Sequence, residues 1–130
     1  METGIIKLTP EMLSLLSGSG GTGGIMPFKR EIFVLNEYIS GTNYCKAMPE
    51  IFPNLKENVS LTVKRDPDNE YDPCAIGVYY DTVRIGWVPM KDNIVMSRLM
   101  DAGKAFTCKV VKTSRKGSWY NVDASFYMVD

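Results

Sequence analysis

Histidine is absent from the 130 residues. Its absence removes the usual general base, the Ser-His and Cys-His nucleophile pairs, and the commonest metal ligand. Cysteine is scarce, and Cys45, Cys74 and Cys108 are odd in number and far apart. No disulfide framework follows from them, and a reduced, cytoplasmic setting is expected. No CxxC pair is present to build a zinc site at familiar spacing, so neither metal nor cofactor is expected. Net charge is also missing: 15 basic residues balance 15 acidic ones. That speaks against a protein that coats nucleic acid through bulk charge. No apolar run reaches membrane-spanning length, and the opening residues, with Glu2 and a broken apolar segment, do not read as a secretory leader.

What remains has the make-up of one ordinary domain, 45% hydrophobic and 23% charged, long enough to bury a core without staples. Residues 1–24 separate from the rest. Thr9-Pro10 reads as a helix cap and first turn, with Met12, Leu13, Leu15 and Leu16 as apolar contacts and Gly18 as the stop. GSGGTGG then reads as a flexible linker. Gly18 to Gly23 spell GxGxxG, but that fingerprint needs a strand before it and a helix after it, and the order here is reversed.

Residues 25–130 carry mostly strand patterns. Ile32 to Ile39 is one apolar run, and Gly41 to Asn58 reads as an irregular connection with a helical turn. Val59, Leu61 and Val63 alternate with polar residues as a half-buried strand does. Ala75 to Tyr80 and Val83 to Val88, separated by Asp81-Thr82, read as a hairpin. A helix follows, capped by Asp92 or Asn93, with Ile94, Val95, Leu99 and Met100 as its apolar face and Gly103 as its stop. Phe106, Cys108 and Val110 alternate as a further strand, Ser114 to Gly117 make a turn, and Tyr120, Val122, Ala124, Phe126 and Met128 point one way in the last. The expected fold is mainly β (α+β), a small OB-like barrel of about six strands with one or two helices.

Two stretches carry candidate chemistry. In KRDPDNEYDPCAIGVYYDTVRIGWVP, Lys64 to Pro89, Asp66, Asp68, Glu70 and Asp72 alternate like the start of a calcium loop. The sixth and twelfth positions of such a loop, which need glycine and glutamate, hold Tyr71 and Gly77, so that template fails. The simpler reading is a turn, since Asp-Pro and Asn side chains fix local backbone. The second stretch, between Asp101 and Asp123, has no acidic residue but holds Lys104, Lys109, Lys112, Arg115 and Lys116. Trp119 falls on the face opposite Tyr120, Val122 and Phe126. A projecting tryptophan beside lysines suits base stacking; a solvated hairpin is the plainer alternative. Trp87, Tyr79 and Tyr80 read first as core or sheet-surface residues, and Cys74 and Cys108 as small buried ones.

The quoted stretch resembles the core signature of the HIRAN domain family: a basic-acidic-Pro opening, an Asn-x-Tyr-Asp turn, an Ala-Ile-x-Val strand and an Ile-Gly-x-(Val/Leu/Ile)-Pro ending. The likeness continues through NIVMSRLMDAGK, and FVLNEYISGT resembles the family's first strand, so it covers most of Ile32 to Asp130. The resemblance implies an OB-like barrel found free-standing in bacteria and phages or attached to Swi/Snf-type DNA translocases. It also implies single-stranded DNA bound at its 3′-hydroxyl end. Asp72 matches the carboxylate that reads that hydroxyl, Tyr71 an aromatic pocket residue, and Tyr38 a first-strand tyrosine against which a base lies. Trp119 falls near an aromatic of the last hairpin. This chain departs from the eukaryotic binders at four places: Glu37 replaces an arginine, Trp87 a frequent histidine and Glu70 a proline, while Lys91 only approximates a lysine.

The expectation is a non-enzymatic module that binds single-stranded DNA ends in DNA repair or processing, alongside a helicase or repair protein. Asp72 would orient the hydroxyl, Tyr38, Tyr71, Trp87 and Trp119 form the aromatic surface, and Lys91, Lys112, Arg115 and Lys116 meet phosphates. The alternative is a protein-interaction or adaptor module that keeps the barrel without binding DNA, favoured by Glu37 and the zero net charge. Metal-dependent nuclease chemistry is the weakest reading, because the acids cluster in one proline-fixed turn. Oligomeric state is not legible.

Overall fold

The computed structural model describes residues 30–130. The expected helix and linker of residues 1–24 lie outside them. Contacts divide the chain into Ile32–Val129 and a second unit, Met1–Glu31 with Asp130. In the latter, Arg30 and Asp130 form an ion pair 2.8 Å long, and Asp130 N–H donates to Arg30 C=O at 2.8 Å.

Six strands form one sheet: β1 (Glu31–Tyr38), β2 (Ser60–Arg65), β3 (Ile76–Tyr80), β4 (Val83–Trp87), β5 (Ala105–Lys116) and β6 (Trp119–Val129). Their order is β1-β6-β5-β2-β3-β4. Ser125 Oγ donates to Asn36 Oδ1 and Ile39 N–H, just past β1, to Val122 C=O, so β1 and β6 run in opposite directions. The other neighbours are antiparallel too. Helix α1 (Met48–Ile51) and 3-10 turns at Thr42–Tyr44 and Phe52–Asn54 occupy the irregular connection after β1, and helix α2 (Met90–Asp101) follows β4.

The alternation read from the sequence explains the core. Leu61 and Val63, Ile76 and Val78, Phe106, Cys108 and Val110, and Tyr120, Val122, Ala124 and Phe126 are all buried. Met48, Ile51 and Leu55 join them from the connection after β1, and Met96 from α2. Burial pushes the Cys108 thiol up to about 12, which keeps it protonated and unreactive at neutral pH.

The sheet is open but curls enough for the residue past one edge strand to reach the end of the other. Ser40, just past β1, bridges Trp87 at the end of β4, with Ser40 N–H to Trp87 C=O and Trp87 N–H to Ser40 C=O both 2.9 Å. Gly86 permits this approach: a Cβ there would lie 2.4 Å from Ser40 O and 2.6 Å from Ile39 Cγ2. The architecture is a mostly β, barrel-like OB-type fold stitched at one point along its seam.

Three local expectations are corrected. Helix α2 begins at Met90 with Pro89 as its N-cap, so neither Asp92 nor Asn93 caps it. Its buried face is Asn93, Met96 and Ser97, whereas Ile94 and Val95 are 52% and 69% exposed. Leu99 and Met100 of the expected stripe do pack against the core, but at its start an asparagine with a specific partner takes the inner position instead of Ile94 or Val95. The β5–β6 turn is Gly117–Ser118 rather than Ser114–Gly117, because β5 pairs with β6 as far as Lys116↔Trp119.

Candidate nucleic-acid interface

The acidic loop between β2 and β3 is held by its own side chains. Asn69 Oδ1 accepts from Tyr71 N–H at 2.9 Å and Asp72 N–H at 3.0 Å, and Asn69 Nδ2 donates to Asp66 Oδ2 at 3.2 Å. Asp72 Oδ1 accepts from Cys74 N–H at 2.9 Å. These are Asx turns of the kind expected from the Asp-Pro and Asn content. Arg65 clamps the loop from below. It donates to Ala75 C=O at 2.8 Å and Pro73 C=O at 3.0 Å while forking onto Asp101 at 2.8 and 3.1 Å. That fork, near the end of α2, holds the Asp101 carboxyl below the usual range.

Asn93 completes the arrangement from α2. Buried to 2% exposure, it donates from Nδ2 to Asp72 Oδ2 at 2.8 Å. Each Asp72 oxygen therefore has one protein donor, and a carboxylate offers roughly four lone-pair positions. The remaining acceptor capacity suits a hydroxyl donor and disfavours a phosphate.

Asp72 lines a cleft of about 460 Å³ with Ser40, Asp66, Asn69, Tyr71, Ala75, Arg84, Trp87, Val88, Met90 and Asn93. That volume lies in the range of small-ligand sites. The Arg84 guanidinium sits 4.4 Å from the Trp87 ring centroid, a stacked cation–aromatic wall. Arg84 escapes sequence reasoning because strict alternation would put residues three apart on opposite faces. A bulge removes that constraint: Val78 pairs with Gly86 but Tyr79 with Arg84, leaving Ile85 as the extra residue. Arg84 and Trp87 then share a face.

The candidate residues fall into three groups. Tyr71, 86% exposed, Asp72 and Trp87 line the cleft. Tyr38 and Lys91 are not among its lining residues; they form an adjoining cluster in which Lys91 Nζ lies 5.8 Å from the Tyr38 ring centroid and 2.7 Å from Glu37 Oε2. Lys91 holds the Glu37 carboxyl below its usual range. Asp92 beside it is pushed up by burial, and then by the neighbouring Glu37 carboxyl; its Oδ2 is closed from solvent without a partner.

The third group lies on the β5–β6 hairpin, which carries a second bulge. Val110 pairs with Ala124 and Lys112 with Asp123, so Val111 is the extra residue. Beyond it Lys112 and Lys116 share a face with Trp119 and Asn121, and Arg115 shares the other with Tyr120. Trp119 is 58% exposed, its indole N–H bonded to Asn121 Oδ1 at 3.0 Å. Arg115 lies 4.9 Å from the Tyr120 ring centroid. None of these hairpin residues lines the cleft. Among the described residues no three Cys, Asp or Glu groups gather closely enough to hold a metal ion, and no helix is long and apolar enough to cross a membrane.

The fold is similar to two solved structures. A protein from Lactobacillus plantarum aligns with TM-score 0.72 and 16% identity, over 79% of this chain and 99% of its own. The HIRAN domain of human HLTF aligns with TM-score 0.61 and 17% identity, over 78% of each chain. No curated protein matches. The HIRAN domain model matches residues 32–129, the stretch that holds the acidic loop, the Gly86 seam and the cleft, and the chain belongs to the HIRAN domain family.

Proposed function

We propose that this protein is a non-enzymatic module that binds single-stranded DNA by a 3′-hydroxyl end in the cleft. HIRAN domains are generally nucleic-acid-binding modules. The observation that carries the finer reading is Asp72, fixed by Cys74 N–H and Asn93 Nδ2 with acceptor capacity to spare, beside the Arg84–Trp87 wall. The carboxylate takes the sugar hydroxyl. Trp87 and the exposed Tyr71 offer ring faces to the terminal base, each stack worth about 1–3 kcal/mol. Lys112, Lys116 and Trp119 form a separate face that meets the strand farther from its end. The setting in this reading is cytoplasmic DNA repair or processing, with a helicase or repair protein as partner.

Fluorescence anisotropy with strands ending in a 3′-hydroxyl or a 3′-phosphate tests it. The hydroxyl strand should bind roughly tenfold or more tightly, since charge-assisted hydrogen bonds are worth about 1.5–3 kcal/mol. Equal affinities would remove Asp72 from this role.

A second reading, a protein-interaction module, is favoured by one observation. The edge strand β1 exposes Ile32, Phe33 and Val34 at 42%, 56% and 38%, and an apolar sheet edge is a surface for strand addition. DNA binding that is absent, or insensitive to salt, would favour it over the first.

A further inference from the structure

Beside the cleft, Glu37, Tyr38, Lys91 and Asp92 form a cluster whose parts come from the end of β1 and the first turn of α2. Lys91 is exposed and well placed to attract a strand, yet its ammonium is 2.7 Å from Glu37 Oε2. Glu37 is itself fixed. Its Oε1 accepts from Tyr38 N–H at 3.1 Å, and its side chain is only 18% exposed against 61% for Lys91. The carboxylate is thus the immobile member and the lysine the one drawn to it. Asp92 lies beside the same pair, its carboxyl raised by burial and by the nearby Glu37.

We infer that Glu37 is a specificity-determining residue that withholds Lys91 from nucleic-acid phosphates, so that the ligand's end is held by hydroxyl and base contacts rather than by charge. The inference rests on the nucleic-acid reading above. A phosphate approaching Lys91 meets a cation whose charge Glu37 already balances. To gain the lysine it must displace Glu37, and it then lies against that displaced carboxylate. A sugar hydroxyl or base edge suffers no such repulsion. Each phosphate that a protein neutralises adds about 0.7 to the salt slope for single strands; with Lys91 already paired, that increment is missing.

The test compares wild type, Glu37→Gln and the double variant Glu37→Gln/Lys91→Met, with a short fluorescein-labelled oligothymidylate bearing a free 3′-hydroxyl. Glutamine keeps the acceptor for Tyr38 N–H, so the strand end is preserved. Glu37→Gln should bind about two- to fivefold more tightly at low salt, the scale of a surface ion pair, with a salt slope steeper by about 0.7. The double variant should lose both gains. Unchanged affinity and slope in Glu37→Gln, or a gain that persists without Lys91, overturns the inference. Acetylation of Lys91 by an N-hydroxysuccinimide ester, read by mass spectrometry without DNA, tests the ion pair separately and should be faster in Glu37→Gln. Equal rates overturn the inference at its root. Faster acetylation with no DNA bound by any of the three proteins leaves the pair standing but overturns the nucleic-acid reading, and this inference with it.

Discussion

Asn93 donates to Asp72 Oδ2 from a position 2% exposed on α2, so an uncharged buried residue orients the charged one that faces the cleft. Replacing it with leucine leaves Asp72 without its side-chain donor. Asn93→Leu should lose about 1.5–3 kcal/mol, the range for hydrogen bonds to charged groups, measured by urea denaturation. Exchanging the two groups in Asp72→Asn/Asn93→Asp should recover most of that stability; no recovery would show that the pairing is incidental. Asp92 gives a pH prediction. Burial, then the neighbouring Glu37, raises its carboxyl above the ordinary range. A raised carboxyl stabilises the fold fully below its unfolded value, and that contribution disappears as pH rises through the folded value. Glu37, lowered by Lys91, has the opposite sign: its contribution is present above its unfolded value and fades as pH falls through the folded one. Asp92→Asn imitates the protonated form, so its stability advantage over wild type should grow between about pH 3 and pH 7. A difference that stays constant across that range would refute the assignment.

At the scale of elements, helix α2 shows how a face is chosen. Ile94, Val95, Leu99 and Met100 made one stripe plausible in the sequence, and Leu99 and Met100 do pack against the core, but the buried residues of the helix are Asn93, Met96 and Ser97, because Asn93 has Asp72 to meet and Ser97 Oγ bonds back to Ile94 C=O at 2.8 Å. Met96→Ala should therefore cost about 2–5 kcal/mol. Val95→Lys, one position away, should stay within about 0.5 kcal/mol of wild type. The reverse ranking by thermal or chemical unfolding would mean that α2 is rotated. The strands β2, β5 and β6 were legible because strict alternation matches a half-buried sheet. The bulges at Ile85 and Val111 were not. A one-residue insertion into a ladder leaves no mark in composition, yet it reverses which side chains share a face. The first joins Arg84 to Trp87, and the second puts Lys109 on the same face as Lys112 and Lys116.

For the whole molecule the seam matters most, since the Ser40–Trp87 bridge brings the edges of the sheet together and Ser40 and Trp87 both line the cleft. Gly86→Ala places a methyl against Ser40 O and Ile39, and overpacking of this kind costs about 1–3 kcal/mol. The variant should lose that much stability and weaken DNA binding as the cleft wall shifts; full stability with unchanged binding would show that the seam yields without consequence. The sequence by itself determined the strand count, the barrel class, the turn-rich acidic loop with Asp72 in it, and the outward set of Trp119, because periodicity, turn chemistry and an ordered motif are local properties. Only the tertiary structure decided that Tyr71, Asp72 and Trp87 share one cleft while Tyr38 and Trp119 lie off it, that Asn93 and Arg84 belong to the site, and that Glu37 holds Lys91. Those relations depend on the curl that brings Ser40 to Trp87 and on the β3–β4 register shift, and they join residues up to 54 positions apart, a distance over which local pattern carries no information about direction.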